Sequence, residues 1–168
     1  MKKIIISLSD FLYKLFKGLD ILLLLILALL TFSGVISRYV FNSPIVWLYE
    51  LTLVLFSWIV FGGISIAFKT GENIRVDLFS DDRKKLKFIF GVIGNIFTII
   101  FLIVVVKNGI TIITTTWSQQ YNTINLSTAW FYIPFPLCAL VSIVHLSSGL
   151  LEGRNPLLNT VIDGGEIL

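Results

Sequence analysis

The chain has 168 residues, 56% of them hydrophobic and 14% charged, and its mean hydropathy is +0.92. A soluble domain carries roughly 25% charged residues, so this composition excludes one and points to a single membrane-embedded unit. The net charge of +3 gathers at the flanks of apolar runs, a pattern that sets membrane orientation rather than binding nucleic acid, and the lone Cys138 rules out an intrachain disulfide.

Residues 1–19 start "MKKIII", as a signal peptide would, but the apolar run is short and no small-residue cleavage site follows. The segment is therefore read as retained. Ile4, Ile5, Leu8, Phe11, Leu12, Leu15, Phe16 and Leu19 recur at helical spacing, with Lys3, Ser7, Asp10, Lys14 and Lys17 away from that stripe. This predicts an amphipathic helix lying on the membrane surface. The alternative is an extension of the first spanning helix.

Four membrane spans follow. Uncharged windows of 17, 18 and 19 residues lie between Asp20 and Arg38, Glu50 and Lys69, and Lys87 and Lys107. Each suits one spanning helix, which takes about 20 residues, and the expected helices cover about 20–40, 45–68 and 87–107. The next window, 44 residues from Lys107 to Glu152, is broken by the polar "TTTWSQQYNT". That stretch is expected as a water-side loop or helix end, with a fourth helix over about 129–151 and a tail over 152–168. Pro134 and Pro136 fall in the first turns of that helix, where a missing N–H costs least. Helices are preferred to a barrel because the runs lack apolar/polar alternation. The fold class is thus all-α integral membrane: four transmembrane helices with an N-terminal amphipathic interfacial helix.

Eleven of the 13 Lys and Arg residues fall on the side of the termini and the loop between helices two and three, and only Arg38 and Lys107 fall on the other. Both termini are therefore expected in the cytoplasm. Tyr39, Trp47, Tyr49, Trp117, Tyr121, Trp130 and Tyr132 all map to the predicted outer face. They suit headgroup anchoring or a surface that meets another protein.

Arg38 and Glu50 flank a short outer hairpin turned at "FNSP", with Pro44 expected in the first turn of helix two. They are expected as a structural ion pair that locks the hairpin, or as a contact to a partner subunit. A proton or ion relay is the least favoured role, because no second acid lies in the expected spans. His145 and Cys138 are too few for a bis-histidine haem or a zinc site, and no phosphate loop or catalytic constellation is present. Neither a cofactor nor an enzymatic activity is read. In the loop "KTGENIRVDLFSDDRKKLK", Asp81 and Asp82 suit capping of helix three.

The stretch "RYVFNSPIVWLYELTLVLFSWIVFGGISIAFKTGENIRVDLF", Arg38 to Phe79, resembles the small membrane subunit of tripartite ATP-independent periplasmic (TRAP) transporters, the DctQ-like family. The resemblance is carried by an Arg and a Phe before a turn ending in Pro, then Trp47 with Glu50 three residues on. A Phe/Trp-rich helix with a Gly pair and a Gly-x-x-Ile-x-Val-Asp loop holding Asn73, Arg75 and Asp77 complete it. Chain length, the four spans and "WFYIPFPLCAL" extend it over nearly the whole chain. Members often have His where this chain has Asn73, and two adjacent acids where it has Tyr49-Glu50.

The resemblance implies a scaffold subunit of a sodium-coupled secondary transporter in the bacterial inner membrane. Its partners would be a large membrane subunit that moves organic anions and a periplasmic substrate-binding protein docking on the outer face. C4-dicarboxylates and sialic acids are the typical substrates, and "SRYVFNSPIVW" is most similar to sialic acid members. The competing reading is an autonomous four-helix transporter using Glu50 for proton coupling.

Overall fold

The computed structural model describes residues 2–71 and 84–151, with side chains over 2–71 and 93–149. Five helices follow in order: α1 (Lys2–Tyr39), α2 (Val46–Thr70), α3 (Lys84–Thr116), α4 (Ala129–Tyr132) and α5 (Pro134–Leu151). Ile133 between the last two is itself helical, at φ −53° and ψ −41°, so α4 and α5 make one span. Among the described residues, four helical segments are long and apolar enough to cross a membrane, as the uncharged windows predict.

Three boundaries differ from expectation. First, no break separates residues 2–19 from the first span, and α1 is one helix of 38 residues, about 57 Å long at 1.5 Å per residue. Its amphipathic start serves two faces. Leu12 and Phe16 pack into the core with Phe61, Ile66, Cys138 and Val141, while Ile4, Leu8, Phe11, Leu15 and Leu19 stay exposed. Ser9 anchors the same turn, its hydroxyl 2.8 Å from Nδ1 of the buried His145.

Second, α3 continues past Lys107 to Thr116. The Thr-rich run reads as loop by polarity, yet Thr111, Thr114, Thr115 and Thr116 turn their hydroxyls back onto carbonyls of their own helix. Their polarity is absorbed locally, and the helix carries on. Third, Pro44 lies just ahead of α2, whose N-cap is Ile45. At the other end of α2, Gly71 adopts a left-handed conformation (φ 74°), and its N–H donates to the Ala67 carbonyl at 2.9 Å. This is a glycine stop.

The α4–α5 span is the centre of the bundle. It touches α1, α2 and α3, whereas among the described residues α3 reaches neither α1 nor α2. Half of the span's apolar window is buried, against none of that in α1. Beside the buried Val141 and Leu146, it buries the small or polar Cys138, Ala139, Ser142, His145 and Ser148. Small residues let helices approach closely where lipid offers no hydrophobic drive.

Candidate functional site: the outer knot and the acid in the span

The tight turn after α1 is tied by its own backbone and by Ser37. Ser43 N–H donates to the Ser37 carbonyl at 3.1 Å, and Ser37 Oγ donates back to the Ser43 carbonyl. Asn42 takes the left-handed conformation (φ 49°) that the turn requires. Across from this hairpin, the connection between α3 and α4 folds back on itself. Tyr121 N–H donates to Leu126 O at 3.0 Å and Thr128 N–H to Gln119 O at 2.9 Å.

That fold aims three successive backbone N–H groups at one point, and the Glu50 carboxylate occupies it. Oε1 accepts from Asn122 N–H at 3.1 Å and Thr123 N–H at 3.2 Å. Oε2 accepts from Thr123 N–H and Ile124 N–H, both at 3.0 Å, and from the Thr123 hydroxyl. Consecutive N–H groups turned inward form an anion nest, and hydrogen bonds to an ionised acceptor are among the stronger ones. The expected ion pair between Arg38 and Glu50 is therefore not formed. The physical reason is that the loop's three N–H groups and the Thr123 hydroxyl already engage both carboxylate oxygens. Arg38 instead lies over its neighbour Tyr39, 5.9 Å from the ring centre, within cation–π range.

Two further bonds fasten α2 to α4. Pro134 has no N–H, so the Trp130 carbonyl four residues earlier lacks its helical donor. Trp58 Nε1 donates to it at 3.2 Å, and Ser57 Oγ donates to the Phe131 carbonyl at 2.7 Å. Below them Phe61 and Phe135 stack with ring centres 3.9 Å apart. Tyr132 joins this aromatic column, 5.2 Å from Phe131 and 6.0 Å from Phe135. Gly109 of α3 fits against Pro136, where a Cβ would sit 2.8 Å from the ring.

The predicted outer aromatics divide into two groups. Tyr39, Trp47, Tyr49, Trp117 and Trp130 are exposed. Tyr121 and Tyr132 are half-buried. Burial, followed by the nearby Tyr132 and the Glu50 carboxylate, pushes the Tyr121 phenol above its usual range, so it stays protonated at neutral pH. Asn73, Arg75 and Asp77 of the family-motif loop, the proposed caps Asp81 and Asp82, and the tail from 152 lie outside the described residues.

One residue escaped the sequence reading. Asp20 marks the edge of the first uncharged window, but in the structure α1 runs straight through it. The antiparallel register of α1 on α2 has three markers: Gly34 beside Leu48, Asp20 on Gly62, and Asp10 paired with Lys69 at 2.8 Å. Asp20 thus lies opposite the uncharged run of α2, about 10 Å along that helix from Lys69. The signal was present in the 17-residue window from Asp20 to Arg38, which is short for a bilayer; the span had to extend beyond Asp20.

Among the described residues, four helical segments of membrane length define a multi-pass membrane protein. Residues 27–154, more than half of the chain, match the family "Tripartite ATP-independent periplasmic transporters, DctQ component", and the chain belongs to that family. It is 39% identical over 72 residues to the C4-dicarboxylate TRAP transporter small permease protein DctQ of Vibrio cholerae, covering 43% of this chain and 28% of that one. Two putative TRAP transporter small permease proteins of Haemophilus influenzae also match. One is 36% identical over 70 residues, covering 42% of this chain and 44% of that one. The other is 25% identical over 139 residues, covering 82% of each. The matches to the first two span less than half of those relatives' own length.

Proposed function

We propose that this chain is the small, static subunit of a TRAP transporter in the bacterial inner membrane. It braces a large membrane subunit that carries an organic anion with sodium, and it helps dock a periplasmic substrate-binding protein. The observation that carries this reading is the outer knot. Glu50 fastens the start of α2 to the α3–α4 connection, which suits a brace rather than a moving part. The exposed Tyr39, Trp47, Tyr49, Trp117 and Trp130 around it offer a surface for headgroups or for the delivered binding protein. The charge distribution favours cytoplasmic termini, with the knot on the periplasmic side.

The substrate class is a C4-dicarboxylate or a sialic acid. The Vibrio relative's name favours the first, and the similarity of "SRYVFNSPIVW" to sialic acid members favours the second. The autonomous proton-coupled reading is disfavoured because Glu50 would have to leave several hydrogen bonds to carry a proton. Reconstitution in liposomes tests the proposal. The chain alone should move neither labelled anion, while chain, large subunit and binding protein together should take one up down a sodium gradient. Uptake by the chain alone would overturn the scaffold role.

A further inference from the structure

Asp20 is half-buried and rests on Gly62, where any Cβ would collide with its carboxylate oxygens. Neighbouring cations are committed elsewhere: Lys69 pairs with Asp10, and Lys17 lies 5.6 Å from the Tyr13 ring centre. Among the described residues no donor reaches the Asp20 carboxylate. An ionisable side chain at this depth is costly unless it finds a partner or a polar cavity. Beside it, α2 presents Phe56, Val60 and Ile64 as an exposed apolar stripe at helical spacing. Gly63 makes a notch in that stripe, where a Cβ would meet nothing nearer than an Asp20 oxygen at 3.9 Å.

A glycine notch allows close helix approach, and an unpaired acid beside it asks for a hydrogen-bond donor. Lipid chains supply the first contact but not the second. We propose that the groove at Asp20 and Gly63 receives a membrane helix of the companion permease subunit, one that carries a Lys, Arg, Asn or Gln side chain at the depth of Asp20. This rests on the reading of the chain as one of two membrane subunits.

The test is recovery of the large subunit with the tagged full chain from detergent-solubilised membranes of cells making both. Asp20→Leu and Gly63→Leu should each lower recovery roughly 3- to 30-fold at equal chain levels, the range set by single interhelical hydrogen bonds. Asp20→Asn, which still bonds a donor, should retain most of it. Gly18→Leu, placed where a Cβ meets nothing within 4 Å and on another face of α1, should leave recovery unchanged. A photo-crosslinking side chain at position 63 should form an adduct with the large subunit. Wild-type recovery by both Asp20→Leu and Gly63→Leu, equal loss in Gly18→Leu, or adducts with lipid alone would overturn the groove assignment while leaving the scaffold reading intact. Failure of the unaltered chain to recover the large subunit would sink both.

Discussion

Glu50 and Arg38 carry opposite charges a few residues either side of one turn, yet they live in separate environments. Glu50 answers the loop backbone, and Arg38 answers an aromatic ring. Glu50→Ala should therefore lower the unfolding temperature of the detergent-solubilised chain by a few degrees and speed protease cleavage within residues 117–128. Arg38→Ala should shift that temperature by under about 1 °C. Combining Arg38→Glu with Glu50→Arg should rescue nothing, because an arginine cannot accept from the nest. Recovery of stability in the double reversal would show that the two charges do meet. The place of Glu50 near the start of helix two was legible in the sequence, but its partner was not. Backbone N–H groups carry no residue signature, so a nest built from Asn122, Thr123 and Ile124 looks like any polar loop until its fold is known.

Among the helices, close approach depends on a few small residues. Gly109→Leu would drive a side chain into Pro136, and overpacking of this kind costs about 1–3 kcal/mol. The expected outcome is lower stability, read from thermal unfolding in detergent. Ser9→Ala would leave Nδ1 of the buried His145 without its hydroxyl, at about 1–3 kcal/mol for an orphaned polar group. Replacing Ser147, whose hydroxyl bonds back to its own helix at Ile143, should change little by the same measurement. Helix existence was readable from apolar windows, but two helix extents were not. Window counting treats every charge as a border, which cut α1 at Asp20 and α3 at Lys107. The fold overrides both: α1 docks its first turns through Ser9, Leu12 and Phe16, and the threonines of α3 satisfy themselves.

For the molecule as a whole, the asymmetry of Lys and Arg between the two ends of the helices gives a test of orientation. Cys138 is only 2% exposed, so it should contribute little background to thiol labelling. In spheroplasts, a membrane-impermeant maleimide should label Asn125→Cys directly and Lys3→Cys only after permeabilisation. The reverse pattern would invert the topology and move the aromatic surface to the cytoplasm. The helix count and the family pattern were legible from composition and from Arg38 to Phe79. The packing order, with α4–α5 central and α3 peripheral, was not, because all four spans are apolar on most faces and sequence alone does not say which face meets protein and which meets lipid.

The nest also imposes a schedule on synthesis. Glu50 and Ile124 are separated by the rest of α2, all of α3 and the first half of the α3–α4 connection, so the carboxylate is made well before its donors exist. At roughly 5–20 residues per second, the ribosome needs about 4–15 s to make the intervening chain. Through that interval Glu50 depends on water or headgroups, and the start of α2, although tied to α1 through the turn at Ser37 and Ser43, has no tie to the later connection. The latch can close only once the chain has been made through Thr128, because the bonds from Tyr121 to Leu126 and from Thr128 to Gln119 shape the nest; the start of the last span is therefore the point at which this end of the bundle acquires its final surface.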